Sequence, residues 1–310
     1  MLIIPDWLSS QPLGRTVFTI GVFDGLHLGH QALIKRVIER ANELSATSLA
    51  LTFSPHPLVV LSPSGAPETL TTFEQKVEIL RELDLMALGR LRFDRAMSDL
   101  LARDFLDRII ATRLKPVEIF IGPDFHFGRG AEGNFALIKE WGQSLPVPAK
   151  VFSIEQVKGP GGETYSSSHI RGLIKVGLVR EAANILGRPY RISGVVEVGQ
   201  ARGRCLGYPT ANLGQSRQLT PGPGVYAVRV KLGEKTLYGM TSVGHNPTFS
   251  SKVLTVETNI FDFNGDCYGE KLDLEFMDWL RGVIRFDSAA SLTRQLGEDE
   301  KMARAVLGLS

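Results

Sequence analysis

The stretch Val17-Phe-Thr-Ile-Gly-Val-Phe-Asp-Gly-Leu-His-Leu-Gly-His30 decides how the N-terminal half is read. Its apolar start, 17–22, has the composition of a buried strand. Beyond the glycines, Ile34, Val37, Ile38 and Ala41 recur at i, i+3, i+4 and i+7, which predicts a helix. Between the two lie Gly21, Phe23, Asp24 and Gly25. A glycine-rich turn lets backbone approach a ligand closely, and a helix start offers unpaired N–H groups and the positive end of its dipole to phosphate. His27 and His30 can face the same bound group. Near a polyphosphate, imidazoles can donate hydrogen bonds to oxygens whose charge rises as phosphorus becomes five-coordinate, with no protein nucleophile required. A surface turn with two incidental histidines, or a metal site, are the alternatives, although no third metal ligand lies nearby in sequence.

Outward from this stretch, apolar runs at 48–53, 85–91, 117–122 and 150–154 alternate with helical patterns at 74–83 and 99–112. Repeated strand–helix units predict an α/β fold with a parallel sheet covered on both faces. His56 stands between two prolines after the second of these strands, at the edge where open parallel sheets bind ligands. Ligand contact and loop stabilisation are both open there. Gly128-Arg-Gly-Ala-Glu-Gly133 fits the dinucleotide spacing, but its glycines start beyond the strand end, so a loop over the first site, with Asp124 as its ligand contact, is the better reading. In Ser166-Ser-Ser-His-Ile-Arg171 the hydroxyls precede a helical pattern, where they can cap it or bind phosphate, and Arg171 can pair with phosphate. Taken alone, the cap is the simpler reading.

Past two short helices at 170–186 the pattern changes. Short β-type runs at 191–198, 225–232, 237–243, 253–263 and 271–276 are separated by Gly- and Pro-containing turns, and 288–307 is helical again. An antiparallel barrel or sandwich with a terminal helix is expected, with the boundary near residue 187: domains 1–186 and 187–310. Gly203-Arg-Cys-Leu-Gly-Tyr-Pro-Thr-Ala-Asn212 brings two glycines, Gly203 and Gly207, near Thr210 and Asn212. Backbone N–H groups of such a turn can hold phosphate, and Thr and Asn oxygens suit a Mg²⁺ that keeps most of its waters; a Gly/Pro-rich hairpin is the alternative. Glu257 lies in a predicted strand with Val256 and Thr258 on the other face. It is either a base for a hydroxyl attacking the γ-phosphate of ATP or an outward, solvated carboxylate.

The 310 residues suit two domains, and 43% hydrophobic with 22% charged residues is ordinary globular composition, which excludes disordered and fibrous classes. The charge balance, 35 − 33 = +2, forms no nucleic-acid or membrane-surface footprint. Arg202 and Arg204 make no basic stripe, so neither a nucleic-acid nor a membrane partner is expected. Cys205 and Cys267 form no CxxC pair, the N-terminus is a poor signal peptide, and no run approaches a membrane span, so a cytoplasmic protein is expected. A weak homo-oligomer is compatible with this composition.

Taken together, these motifs resemble the bacterial bifunctional riboflavin kinase/FAD synthetase (FMN adenylyltransferase) family. The resemblance runs from about Thr16 to the C-terminal helix. Its anchors are GVFDGLHLGH at 21–30, TFSPHP at 52–57, GPDFHFGRG at 122–130, SSSHIR at 166–171, LGRPYRISGVV at 186–196, GRCLGYPTAN at 203–212, GVYAV at 224–228, VGHNPTF at 243–249 and VETNIFDFNGDCYG at 256–269.

The resemblance implies a Rossmann-like nucleotidyltransferase module and a riboflavin kinase β-barrel with a terminal helix. Riboflavin and ATP would give FMN, and FMN with a second ATP would give FAD, both steps with Mg²⁺. By position, His27 and His30 would meet ATP phosphates over the Gly21–Gly25 turn, and Ser167, Ser168 and Arg171 would hold phosphate at the other end of that site. Thr210 and Asn212 would arrange Mg²⁺ and ATP, Glu257 would be the base on the ribityl hydroxyl, and His56, Asp124 and Arg281 would meet flavin.

The sequence departs from the family at Ser168, where Thr is common, and at His126 and His169, where Arg is frequent. Ser keeps the hydroxyl, whereas losing two cations weakens the expected hold on ATP or FMN. The segment Arg281-Gly-Val-Ile-Arg-Phe286 lacks the family's usual acidic residue, which bears on flavin affinity. Two rival readings follow: a kinase with a degraded first module, and a flavin- or nucleotide-binding regulator without turnover.

Overall fold

The computed structural model describes residues 1–159, 161–199, 207–214, 216–245 and 254–309. Its contacts divide it into two compact units, Met1–Ser166 and Ser167–Ser310.

In the first unit six strands form one parallel sheet: β1 (Leu2–Ile4), β2 (Arg15–Gly21), β3 (Thr47–Ser54), β4 (Ala87–Arg92), β5 (Lys115–Ile121) and β6 (Lys150–Ser153). Their order is β1-β4-β3-β2-β5-β6. Helices α1 (Leu28–Glu43), α2 (Pro57–Leu61), α3 (Phe73–Glu82), α4 (Arg95–Ser98), α5 (Ala102–Asp104) and α6 (Phe135–Ser144) connect them. Alternate strand residues serve different cores. Val17, Ala50 and Leu88 pack with Ile34, Val37 and Ala41 of α1. Phe18, Leu49, Leu51 and Ile119 pack with Trp7, Ile138 and Trp141 on the other side. The near-continuous apolar runs read from the sequence are therefore explained by burial on both faces.

The helix expected over 99–112 is broken. α4 ends at Ser98, Leu101 is extended, and α5 runs into a π-helical turn at Phe105–Ile110. The Glu132 carboxylate accepts a hydrogen bond from the Ala102 N–H at 2.8 Å, and the Leu100 carbonyl accepts one from the Arg129 N–H at 2.7 Å. Contacts with a loop distant in sequence thus override the local helical pattern at this point.

From β2 the chain winds through β3 to β4 on one side and then returns to β5 and β6 on the other. The reversal makes the carboxyl ends of β2 and β5 the topological switch point, the place where open α/β sheets bind ligands.

The second unit is a closed barrel ordered β10-β11-β8-β7-β12-β9. Its strands are β7 (Tyr190–Glu197), β8 (Ala211–Leu213), β9 (Gly224–Leu232), β10 (Lys235–His245), β11 (Leu254–Ile260) and β12 (Lys271–Arg281), all antiparallel. α9 (Ala289–Leu307) lays Ala303 against Val225, Ala227, Met240 and Phe261. α7 (Ser167–Lys175) and α8 (Val179–Leu186) belong to this unit: the Ile174 carbonyl accepts from the Gly222 N–H at 3.0 Å, and Val179, Ala182, Ile185 and Leu186 are buried. The boundary expected at residue 187 places both helices with the first module, whereas by contacts they fall in the second unit.

Candidate functional site

In the first unit the turn after β2 is fastened from below. Asp24 is buried, and its carboxylate accepts hydrogen bonds from the backbone N–H groups of Leu70 (2.9 and 3.1 Å) and Thr71 (3.2 Å). The Gly25 N–H donates to the Thr71 hydroxyl at 3.1 Å. These bonds hold Phe23 and Leu26 at positive φ, 49° and 43°, a conformation that costs non-glycine residues roughly 1–3 kcal/mol each.

His27 caps α1, its Nδ1 accepting the His30 N–H at 3.4 Å. That bond leaves Nε2 to carry the proton of the neutral ring. A Cβ on Gly29 would come within 3.1 Å of the His27 ring, so glycine there makes room for the cap. The His27 and His30 rings stack with centroids 3.7 Å apart, and Phe23 meets His30 edge-on at 5.4 Å. His30 Nδ1 is buried with no hydrogen-bond partner among the described residues. Burial first, then the neighbouring His27 and Lys76, pushes the His30 imidazole well below its ordinary 6.5, so it is neutral at pH 7. The site is therefore two adjoining imidazoles on a fixed turn at a helix start.

Two further segments reach the same sheet edge. His56 caps α2, its Nδ1 accepting the Leu58 N–H at 3.2 Å, which is the loop-stabilising arrangement and directs Nε2–H elsewhere. Asp124 is exposed and accepts from the Gln156 amide, while His126 Nδ1 lies 3.1 Å from the Asp124 carbonyl. Two of the glycines with dinucleotide-like spacing have a packing explanation: a Cβ on Gly128, at φ +75°, would lie 2.6 Å from the Ala102 backbone, and one on Gly133 would lie 2.6 Å from the Phe127 ring.

Lys76 on α3 carries no motif, yet its ammonium is buried and donates to the Val22 carbonyl at 2.7 Å. Only the fold reveals it, since the contact spans 54 positions.

In the barrel unit, Ser167, Ser168, His169 and Arg171 occupy the first turns of α7. Gly203 lies outside the described residues. Gly207 is exposed with φ +82°. A cavity of about 240 Å³ has Thr210, Ser242 and Glu257 on its polar side and Val225, Met240 and Phe286 among its apolar walls. Glu257 therefore lines a cavity. A second cavity of about 520 Å³ is lined by Ala211, Thr258, Phe263, Asp266 and Tyr268, and Thr210 lines both. Asn212 sits directly across from Glu257 in the β8–β11 register. Asn259 donates to the Pro209 carbonyl at 2.8 Å, which fixes the Pro209–Thr210 turn beside it.

Arg281 also lines the smaller cavity. Its guanidinium is held by the fully buried Asp299 of α9 through two bonds of 2.7 and 2.6 Å, and it donates to the Gly282 carbonyl at 2.8 Å. Asp299 gave no sequence signal beyond being one carboxylate on an amphipathic helix; its partner lies on a different element.

Residues 9–169 match the family model described as FAD synthetase, and residues 186–307 match the one described as riboflavin kinase. The chain is 34% identical to the bifunctional riboflavin kinase/FMN adenylyltransferase of Escherichia coli K12 over 98% of its own length and 96% of that protein's. It is 32% identical to the Bacillus subtilis protein of the same description, over 96% and 95% of the two lengths. Among solved structures it resembles one described as a macrolide-efflux protein from Streptococcus pneumoniae, with a TM-score of 0.85, 31% identity and coverage of 98% of this chain and 99% of the other. Among the described residues of this chain, no helix is long and apolar enough to cross a membrane.

Proposed function

The chain belongs to the family of bifunctional riboflavin kinases/FMN adenylyltransferases, and from that membership we propose how its residues divide the two reactions. It phosphorylates riboflavin with ATP to give FMN, and it transfers AMP from a second ATP to FMN, giving FAD and pyrophosphate. The functional modules are 1–186 for adenylylation and 187–310 for the kinase, and the consumption of ATP in both steps suits a cytoplasmic enzyme.

One observation carries the kinase assignment: Glu257 and Thr210 line one cavity, and Thr210 also lines the next. A kinase needs two binding spaces that meet where the phosphoryl group moves. Riboflavin fits the smaller space, with its ring against Val225, Met240 and Phe286 and its ribityl end toward Glu257. Arg281 borders the flavin there. ATP takes the larger space with its γ-phosphate at Thr210. Glu257 removes the proton from the terminal ribityl hydroxyl as that oxygen attacks the γ-phosphorus, and ADP leaves.

The oxygens of Thr210 and Asn212 fit Mg²⁺. They are hard donors, and Thr210 lines both cavities, whereas Asn212 lines neither and is placed only by its register across from Glu257. Such an ion keeps several waters and takes phosphate oxygens. When bound, it neutralises charge on the transferring phosphate.

In the first unit the fixed Nε2–H of His27 donates to oxygens of the ATP α-phosphate as the FMN phosphate attacks it and pyrophosphate departs, with neutral His30 alongside. Gly21, Phe23 and Gly25 shape the turn under the nucleotide, and Asp24 holds it. His56 and Asp124 are assigned to FMN. Ser167, Ser168 and Arg171 are assigned to phosphate on the family resemblance alone, and so is Gly203 with Gly207.

Glu257→Gln tests the assignment. FMN formation from riboflavin is expected to fall by roughly 10²–10⁴-fold while conversion of added FMN to FAD is unchanged. Undiminished FMN formation refutes it.

A further inference from the structure

We propose that Lys76 is an additional nucleotide-binding determinant of the adenylyl-transfer site: its buried ammonium, held on the Val22 carbonyl at the root of the 22–30 turn, supplies positive charge for the ATP phosphates without touching them. The inference rests on the reading of that turn as the ATP site.

Lys76 is 7% exposed, and no carboxylate lies within ion-pair distance of it among the described residues. The groups bearing on it are the Asp24 carboxylate, which is committed to the Leu70 and Thr71 N–H groups, and the His30 imidazole, which stacks on His27. A buried cation with no close counter-ion is costly. Burial pulls the amine down to about 8, against a smaller opposing pull from Asp24.

The hydrogen bond alone does not account for a lysine here. The Val22 carbonyl also accepts the Thr52 hydroxyl at 3.0 Å, so it stays satisfied when Lys76 is removed. What the ammonium adds is a desolvated charge next to the turn, and charge acts over longer distances in a low-dielectric surrounding than in water. A polyphosphate bound over the turn supplies the missing counter-charge. Its binding therefore favours the protonated amine, and deprotonation weakens binding.

The test measures KM for ATP from pH 6.5 to 9.5 in FMN adenylylation and, separately, in riboflavin phosphorylation, for the wild type, Lys76→Arg and Lys76→Met in the full-length chain. For adenylylation, the wild-type KM is expected to rise about tenfold as pH passes through 8, a change equivalent to about 1.4 kcal/mol. Lys76→Met is expected to show the raised KM at every pH, with kcat within about threefold of wild type. Lys76→Arg keeps a low KM to pH 9.5, because guanidinium does not titrate there. The kinase KM does not change in any variant.

Thermal unfolding separates charge from structure. Lys76→Met removes a buried unpaired cation and is expected to unfold no lower than wild type. A wild-type KM and pH profile in Lys76→Met overturns the proposal. So does a joint loss of kcat and thermal stability, which would mark a purely structural residue. His30→Ala is the separate control on the underlying site: unaltered FAD synthesis in that variant would remove the ATP assignment of the turn, and the Lys76 proposal with it.

Discussion

His30 shows how one residue ties stability to the site. Its ring is held neutral by burial, while in the unfolded chain it titrates at its ordinary 6.5. Below pH 6.5 the unfolded chain binds a proton that the folded chain refuses, so stability is full above that pH and is lost as pH falls. The loss approaches about 1.4 kcal/mol per pH unit below 6.5. His30→Gln is expected to flatten this slope in denaturant unfolding between pH 7 and 5; equal slopes for the two proteins contradict the buried neutral ring. The two histidines were legible because glycine spacing and a helix start accompany them. Lys76, Asn259 and Asp299 were not, because each earns its place through a partner on a distant element.

The elements follow the same division. β2, β3 and β5 were readable as buried strands, since both faces of a parallel sheet are covered. β8 is hidden at the end of the 203–212 motif, being three residues long, Ala211–Leu213, and preceded by turn residues. The apolar run of β12 was read as ending at 276, whereas the strand continues to Arg281 through register shifts after Phe276 and Trp279. Such bulges break the alternation that marks a strand. That extension matters, because it carries Arg281 to the cavity and to Asp299 on α9. Removing one member of this buried pair leaves the other charge uncompensated, at a cost of roughly 3–5 kcal/mol. Asp299→Ala is expected to lose about that much in denaturant unfolding of the barrel unit and to raise KM for riboflavin. A variant of unchanged stability would mean that α9 does not anchor the cavity wall.

For the whole molecule, the two units each have their own sheet and core. The segment 167–186 joins the barrel unit by packing: Gly177 lies against Trp279 and Tyr226, and a Cβ there would meet both at 3.1 Å. The Tyr226 hydroxyl is bonded to the Gly222 carbonyl and its pKa is pushed up to about 12 by burial, so that contact persists across physiological pH. A fragment spanning 167–310 is therefore expected to unfold cooperatively and at higher denaturant than one spanning 187–310, which exposes the surface that α7 and α8 cover. Equal midpoints would place the structural boundary at 187 instead. Sequence composition signalled the change from α/β to β near that residue, but not which side the two helices pack on, since amphipathic faces do not name their partner.

The most direct test of the two-site account is a chromatographic time course of the full chain with riboflavin, ATP and MgCl₂, separating riboflavin, FMN and FAD. FMN is expected to rise first and then decline as FAD accumulates. FMN that accumulates without FAD would mean that the site around His27 and His30 does not turn over, and the account of the first unit would fail.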